Sequence, residues 1–561
     1  MGRVSKSGTV GASKVKPREV ALAFAAGILL AVLMFWPLAR QLHTHIPQDL
    51  TDPLQQTWQV AWGGHALVNQ PSRLFEGNVH WPLPHSLAFS DSVLGYSPIA
   101  IAAESPPEGL ASYNLAFLLA YVLAFAGAYF LARQLGVGWS AALIAGAAFA
   151  YAPWKLSHNG HLNVISSGAI AIALFLLIRG YLHRQELMVL GGWVVATWQL
   201  SVGLTNGIPF AYLLSALGLI GTVIAVRKRW HPGRACLITS AIGIAIFLGW
   251  AALQTSPYRD LAERYPEATG YRTEGWTRYY SPPPQGFLAA PEQNFLWGEV
   301  TREQRKELPW VPEQTLFPGA LVAFLGIAGL VISSFPWRAR LLLGFLIVLS
   351  VILSLGFKAG WLSHLFGLLY DYAPGWSAGR TPGRLMTFTM LGLGLSAAGA
   401  VEWVTRFFRK NGRAIVRKLA VPFGVLAFLI ALAEGAGETA FHGVPARPEI
   451  SEVLAPDPQA HLPTEYAIDA LHMYWSIGEW PRIVNGSLGL LPRHMEPLRQ
   501  TLRGFPDNAS VSRLRRLGVR SVLFHEDLVE RGAEWPAPAP PPPHLNLHVF
   551  REGSTAIYLL D

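Results

Sequence analysis

About eleven stretches of apolar residues follow one another along this chain of 561 residues, and polar loops separate them. The first stretch, Val20 to Leu38, holds no charged residue and has about the length of a helix that crosses the hydrocarbon core of a bilayer. A backbone inside a bilayer must satisfy its own hydrogen bonds, so such stretches fold as helices. We therefore predict an α-helical integral membrane protein with about eleven transmembrane helices, near residues 20–38, 110–132, 139–153, 162–178, 187–200, 208–226, 235–253, 317–335, 341–357, 384–404 and 416–434.

The composition agrees with a protein that crosses the membrane many times. Hydrophobic residues make up 51% of the chain and charged residues only 14%. The net charge of +9 lies in short loops rather than on an amphipathic face or in a nucleic-acid-binding motif, so no nucleic acid partner is expected. Cys236 is the only cysteine, which excludes an intrachain disulfide and a cysteine metal cluster.

The distribution of basic residues predicts how the chain crosses a plasma (inner) membrane. Basic loops around Arg133, 179–184, 227–229 and 406–418 are expected in the cytoplasm, together with the basic tail 1–19. An odd number of crossings then places the C-terminal part outside. A cleaved signal peptide is the alternative for the first span, but its apolar region is long and lacks a small-x-small cleavage site. The predicted divisions are the transmembrane domain 20–434, its outer loops 39–109, 254–316 and 358–383, and the extracytoplasmic domain 435–561.

The C-terminal part, 435–561, is polar and proline-rich and is long enough to bury its own core. Short helices are predicted over 498–502 and 511–517, and a strand over 521–525. A terminal hairpin is predicted from 545–550 and 555–560. We therefore expect a small α/β domain.

The first outer loop combines carboxylates with tryptophans. Trp58 and Trp62 have helical spacing and predict an amphipathic helix resting on the membrane surface, although an interfacial aromatic belt, which needs no substrate, is favoured as the explanation of the tryptophans themselves. Pro53 disfavours helix at Asp52, which favours a turn or an N-cap there.

Motifs spread over almost the whole chain carry a family resemblance. The blocks are Asp52-Pro53-x-x-Gln56-x-Trp58-x-x-x-Trp62, Trp81-Pro82, Ser90-Asp91, Tyr151-Ala152-Pro153 with His158 and His161, Leu316-Phe317-Pro318-Gly319, Arg380-Thr381-Pro382-Gly383-Arg384, and Asn485-Gly486. With them the chain resembles bacterial GT-C-type membrane glycosyltransferases, the YfhO-like and RgtABCD-like group. The resemblance implies a GT-C-type membrane core, an acidic residue in the first large outer loop, and a polyprenyl-phosphate sugar as donor.

Asp52 matches the acidic position best and is the expected catalytic base. An inverting transfer needs a carboxylate that takes the proton of the acceptor hydroxyl while the lipid phosphate departs. The phosphate is a good leaving group, so a second acid is less necessary than in glycosidases. Asp91 is the candidate for positioning sugar hydroxyls. Asp49 lies only three residues from Asp52 and is the third candidate among these catalytic carboxylates.

The departing phosphate requires positive charge at the outer face. Arg380 and Arg384 oppose the positive-inside trend and can bind phosphate, although snorkelling towards lipid headgroups also explains them. Lys155, His158 and His161 form a second candidate cluster for phosphate or sugar. A divalent metal on the two histidines is possible but not favoured, because no neighbouring carboxylate in the sequence completes a ligand set.

Aromatic side chains suit stacking on a sugar acceptor, and Tyr279, Tyr280 and Trp58 are the candidates. The alternative for the loop 254–316 is a structured cap that packs on the first outer loop, with its arginines paired to neighbouring carboxylates.

The sequence thus predicts a membrane glycosyltransferase that moves a sugar from a polyprenyl-phosphate donor to a lipid-linked or cell-surface glycan, with membrane lipid and glycan as partners. A non-catalytic transporter, flippase or assembly factor for lipid-linked glycans is the alternative. An enzyme predicts Asp52 beside Arg380 or Arg384 in an outer groove, whereas a transporter predicts charged residues at the bilayer midplane.

Overall fold

The computed structural model describes residues 15–266, 273–411, 417–450 and 455–560. Every predicted apolar stretch overlaps a helix, and the stretches 20–38 and 162–178 are each divided between two helices. Numbered in chain order, the helices up to residue 435 are α1 Pro17–Met34, α2 Trp36–Arg40, α3 Asp52–Asn69, α4 Pro106–Gln134, α5 Trp139–Ala150, α6 Leu162–Ile165, α7 Gly168–His183, α8 Glu186–Val202, α9 Leu204–Arg227, α10 Arg234–Arg264, α11 Glu274–Tyr280, α12 Arg302–Lys306, α13 Val311–Gln314, α14 Ala320–Val331, α15 Trp337–Ser354, α16 Ser363–Tyr372, α17 Met386–Asn411 and α18 Ala420–Gly435.

Within the described ranges, seven helical segments are long and apolar enough to cross a membrane, judged by length and composition. They are Pro17–Met34, Pro106–Gln134, Leu162–His183, Leu204–Arg227, Arg234–Arg264, Trp337–Ser354 and Pro382–Lys410. Helices α5, α8, α14 and α18 are apolar but shorter. The chain is therefore a multi-pass membrane protein, and the count of eleven crossings stays a prediction.

Basic loops gather at one end of the helix bundle. Arg133 at the end of α4 pairs with Glu19 at the start of α1, with 2.5 Å between Nε and Oε1. Arg406 near the end of α17 donates to the carbonyl of Gly136 over 2.8 Å. These contacts bring three basic segments to the same end, as the charge pattern requires. Residues 1–14 of the predicted tail and residues 412–416 of the last basic loop lie outside the described ranges.

The opposite end carries the long loops and the C-terminal part. There β1 (His45–Pro47) pairs antiparallel with β2 (Phe441–Gly443), which ties the first loop to the segment after α18. A second sheet has the order β3-β4-β6-β5, in which β3 and β4 are parallel and the other pairs antiparallel. Its strands are β3 Gln459–Leu462, β4 Ser521–His525, β5 Leu547–Glu552 and β6 Thr555–Leu560, and the helices of this part are α19 Tyr466–Trp475, α20 Met495–Leu502, α21 Asn508–Arg516 and α22 Glu526–Glu530.

Helix α3 does not rest on the membrane surface, which corrects the prediction from its tryptophans. Trp58 is fully buried and Trp62 is 3% exposed. The helix packs against α4, α19 and the 3-10 helix Leu94–Ala100. The prediction was wrong because the same spacing of tryptophan and leucine occurs in helices at a membrane interface and in helices buried in a protein core.

Candidate functional site

Four segments that are distant in sequence meet at the end of the bundle that bears the C-terminal part. They are the first turn of α3, the turn between α5 and α6, helix α13, and the 3-10 turn that precedes α17. Close backbone packing fixes the second of them: a Cβ at Gly435 would lie 1.5 Å from the carbonyl oxygen of Tyr151. Only glycine therefore allows α18 to support this turn so closely.

Asp52 lies at the centre of the site, as the first residue of α3. Its Oδ2 lies 3.1 Å from Nε2 of His161, and the Tyr466 hydroxyl donates to Oδ1 over 3.4 Å. Desolvation opposes charge on this carboxylate, but the hydrogen bond and charge of His161, with the charges of Arg384 and Arg380, hold the pKa of Asp52 below its usual range. The side chain remains 37% exposed, so an ionised carboxylate is open to a bound molecule.

Arg384 forms an ion pair with Glu313 on α13. The guanidinium contacts Oε1 through Nη2, and Nε donates to Oε2 over 3.1 Å. Burial alone would raise the pKa of Glu313, but the charge and hydrogen bonds of Arg384 hold it well below its usual range. Arg380 lies over the ring of Tyr280, 5.4 Å from its centroid. Both predicted arginines therefore lie at the site, one paired with a carboxylate and one on an aromatic ring.

The two predicted histidines also lie at this site. His158 is buried with Nδ1 4.0 Å from Oε2 of Glu313, and neither ring nitrogen has a hydrogen-bond partner in the described part of the chain. Burial lowers the pKa of His158 to about 3, so its imidazole is neutral. One ligand atom from each of His158, His161 and Glu313 lies within 4.8 Å of the others. Imidazole and carboxylate donors of this kind fit a divalent cation.

This arrangement removes the argument against a metal that rested on sequence neighbours. Glu313 comes from a distant loop, and Asp52 from another, so two carboxylates lie beside the histidines in space.

Lys155 is buried, whereas a phosphate-binding lysine in an outer turn is expected to be exposed. It is 1% exposed, its Nζ donates to Oγ of Ser167 over 3.1 Å, and it lies over the ring of Phe149. Burial lowers the pKa of Lys155 to about 7.

Asp91 and Asp49 both have protein partners. The Asp91 carboxylate accepts hydrogen bonds from the backbone N–H groups of Leu204 (2.8 Å) and Thr205 (3.1 Å), and from Nδ2 of Asn163 (3.1 Å). It therefore caps the start of α9. Asp49 accepts from the backbone N–H and the hydroxyl of Thr51 over 2.8 and 2.6 Å, which closes a local turn before α3.

The three aromatic acceptor candidates differ in accessibility. Trp58 is fully buried and its Nε1 donates to Oδ1 of Asn78 over 2.9 Å, so it is a core residue and cannot contact an acceptor in this structure. Tyr279 is 41% exposed and its hydroxyl donates to the carbonyl of Pro309. Tyr280 is half-buried and reaches the site through Arg380.

The segment predicted as the loop 254–316 begins with the end of α10, and this end packs on the first loop, in agreement with the structured-cap alternative. The Tyr258 hydroxyl donates to the carbonyl of Ser90, and Asp260 contacts Nε2 of His85 over 2.9 Å. This loop also supplies Glu313, which the sequence analysis missed. A lone acidic residue beside the Leu316-Phe317-Pro318-Gly319 block was the available signal. Tyr466 was missed as well, and nothing in the proline-rich tail marks it.

Solved structures of one archaeal enzyme resemble this chain. The crystal structure of the Archaeoglobus fulgidus oligosaccharyltransferase tethered to an acceptor peptide with the NVT sequon matches with a TM-score of 0.50 and 13% identity, over 92% of this chain and 70% of that one. The same oligosaccharyltransferase, AglB, with an inhibitory peptide and a dolichol-phosphate gives a TM-score of 0.45 at 13% identity, and its apo form 0.46 at 12%, with the same coverage. No family model matches the chain, and no curated protein matches it in sequence. At this identity the first match shows a shared fold, in agreement with the GT-C-type architecture, and leaves the narrower bacterial group as a prediction.

Proposed function

We propose that this protein is an inverting membrane glycosyltransferase that moves a sugar from a polyprenyl-phosphate-linked donor to a lipid-linked or cell-surface glycan. One observation carries the proposal. The ionised carboxylate of Asp52 is open to a bound molecule and lies in the field of Arg384 and Arg380, at one end of a bundle of apolar helices. A carboxylate beside these arginines is part of what we expect of an enzyme rather than a transporter, and it supports the proposal.

Asp52 would act on the acceptor. Its carboxylate takes the proton of an acceptor hydroxyl as the hydroxyl oxygen forms a bond to the anomeric carbon of the donor sugar. The bond from that carbon to the phosphate oxygen breaks on the opposite side, and the phosphate leaves with the electron pair. His161 holds Oδ2 over 3.1 Å, which orients the carboxylate and leaves Oδ1 towards Tyr466.

The basic residues would act on the phosphate. Arg380 lies over the face of Tyr280 and forms no salt bridge with a carboxylate of the described residues, so its guanidinium can turn to phosphate oxygens. Arg384 is held by its ion pair with Glu313, so it contributes a fixed positive charge rather than unpaired N–H donors for the phosphate. His158, His161 and Glu313 would hold a divalent cation, whose charge would offset that of the departing phosphate.

The test is sugar transfer by purified protein in lipid vesicles with radiolabelled polyprenyl-phosphate sugars. Asp52→Asn keeps the shape of the side chain but cannot accept the proton, so we expect a loss of about 100-fold or more. Asp371→Asn is the matched control, because Asp371 is an exposed carboxylate on α16 at the same end. It should retain the parent rate.

Equal transfer by Asp52→Asn and the parent would exclude Asp52 as the base. The acceptor pool should contain a peptide as well as glycans, because the first structural match was solved with an acceptor peptide. Absence of transfer by the parent with every donor would favour the transporter or assembly-factor alternative.

A further inference from the structure

Three buried histidines meet in the C-terminal part, away from the site described above. His461 lies on β3, His472 on α19 and His525 at the end of β4. Their ring centroids are 5.0 to 5.3 Å apart. One nitrogen from each ring lies within 4.8 Å of the other two.

The outward nitrogens of all three rings have hydrogen-bond partners. Nε2 of His472 lies 2.9 Å from the carbonyl oxygen of Pro463, which can only accept, so this nitrogen carries the hydrogen. Nε2 of His461 lies 3.1 Å from Oε1 of Gln459, whose amide nitrogen donates to the carbonyl of Ala455 over 2.6 Å. That second bond fixes Oε1 as the acceptor, so Nε2 of His461 also carries the hydrogen.

Two of the three inward nitrogens are therefore hydrogen-bond acceptors. A neutral imidazole has one N–H, so Nδ1 of His461 and Nδ1 of His472 are both acceptors. Nδ1 of His525 lies 3.1 Å from the Thr555 hydroxyl, and its Nε2 lies 3.0 Å from Nδ1 of His461. Nδ1 of His472 has no hydrogen-bond partner among the described residues. Without a cation, Nε2 of His525 can donate to Nδ1 of His461, which leaves Nδ1 of His472 as a buried acceptor without a donor. That state is unfavourable, and a cation bound by the three inward nitrogens would remove its cost, with the hydrogen of His525 then on Nδ1 towards the Thr555 hydroxyl.

We propose that His461, His472 and His525 bind a divalent transition-metal ion, with Zn²⁺ as the best fit. Three imidazoles are a common ligand set for zinc. Metal-bound histidines usually donate their second N–H to a carbonyl or another acceptor, and His461 and His472 do so here.

A cavity of about 290 Å³ borders two of the three ligands. His461 and His525 line it together with Trp475, Asp457 and Glu479. Three histidines with access to a cavity leave a fourth coordination position for water or a small ligand. The ion would also join β3, α19 and β4, and so stabilise the C-terminal part.

The test measures metal content and ligand type in the full-length protein. After removal of metal with a chelator and dialysis against Zn²⁺, the parent and His161→Gln should each retain zinc at the three histidines. His472→Gln should lose one equivalent relative to the parent. His442→Gln is the control, because His442 is exposed on β2 at the same end of the molecule.

The variant His161→Gln separates the two sites, because it removes a ligand of the first and leaves the three buried histidines intact. Its X-ray absorption spectrum at the zinc edge should show three imidazoles at about 2.0–2.1 Å. This measurement does not depend on folding of His472→Gln. Retention of the full zinc content by folded His472→Gln, or a spectrum of His161→Gln without imidazole ligands, would overturn the proposal.

Discussion

At the residue scale, Lys155 is a buried cation with a single hydroxyl partner, Ser167. Its pKa falls from 10.5 to about 7 on burial. Between these values the unfolded chain binds a proton that the folded protein does not, so stability rises with pH across this range. Below about pH 7 the folded protein carries the full cost of a buried charge.

Replacing Lys155 with methionine removes this cost while preserving most of the side-chain volume. One pKa unit corresponds to about 1.4 kcal/mol, so we expect Lys155→Met to gain on the order of a few kcal/mol below pH 7. The gain should shrink as the pH rises towards 10.5. Thermal unfolding in detergent at several pH values measures this, with the exposed Lys228→Met as control. A gain independent of pH would show that packing, not charge, causes it.

At the element scale, helix α9 depends on a cap from a distant segment. Gly203 precedes the helix and has no side chain to bind its first N–H groups, so Asp91 accepts from Leu204 and Thr205 instead. Loss of such a cap costs about 1 kcal/mol. We expect Asp91→Ala to lower the free energy of unfolding by about this amount, and Asp91→Asn to lower it less because one oxygen acceptor remains.

Hydrogen exchange at the first turn of α9 locates this effect. The amides of Leu204 and Thr205 should exchange faster in Asp91→Ala than in the parent, whereas Asp371→Ala should leave them unchanged. Unchanged exchange at both amides in Asp91→Ala would contradict the capping role.

The buried pair of Glu313 and Arg384 joins α13 to the start of α17. Removing one partner leaves the other charge enclosed and unpaired, which costs roughly 3–5 kcal/mol. We therefore expect Glu313→Gln and Arg384→Met each to be strongly destabilising. The double variant should lose much less than the sum, because neither charge remains. A double-mutant cycle of unfolding free energies tests this, and additive losses would contradict a direct pair.

The elements show which parts of the fold are readable from the sequence. Apolar stretches of bilayer length located the long helices, because hydrophobicity alone marks them. They did not mark the last turns of α10, which runs to Arg264 through polar residues beyond the predicted end at 253. Strand β3 was missed because Gln459–Leu462 lacks the β-branched residues typical of strands.

The candidate site was only partly readable for a related reason. Recognisable sequence motifs contain Asp52, His161 and Arg384. That these side chains lie close to Glu313 depends on contacts between distant segments, however. A pattern within one segment carries no information about such contacts. The burial of Trp58 could not be predicted either, since α3 packs against the 3-10 helix Leu94–Ala100, α4 and α19, and a pattern within α3 does not reveal these contacts.

At the scale of the whole molecule, the chain has two chemically different ends. The basic loops meet at one end, through contacts such as those of Arg133 and Arg406. The candidate site and the C-terminal sheet lie at the other. A membrane potential and anionic inner lipids favour the basic end in the cytoplasm. The site is therefore predicted to face the extracytoplasmic side, where a lipid-linked donor would meet a surface glycan.

Cysteine labelling tests this orientation directly, since the only native cysteine can be removed. In a Cys236→Ser background, Lys228→Cys probes the exposed end of α9 and Ser554→Cys the exposed tip of the β5–β6 hairpin. Five predicted crossings separate the two positions, so they should lie on opposite sides. In right-side-out vesicles a membrane-impermeant maleimide should label Ser554→Cys at once and Lys228→Cys only after permeabilisation. The reverse pattern would show that the orientation is opposite to the predicted one and that Asp52 lies in the cytoplasm. Labelling of both cysteines from one side would show that an even number of crossings separates them, so that one of the shorter helices α14 or α18 does not span the bilayer.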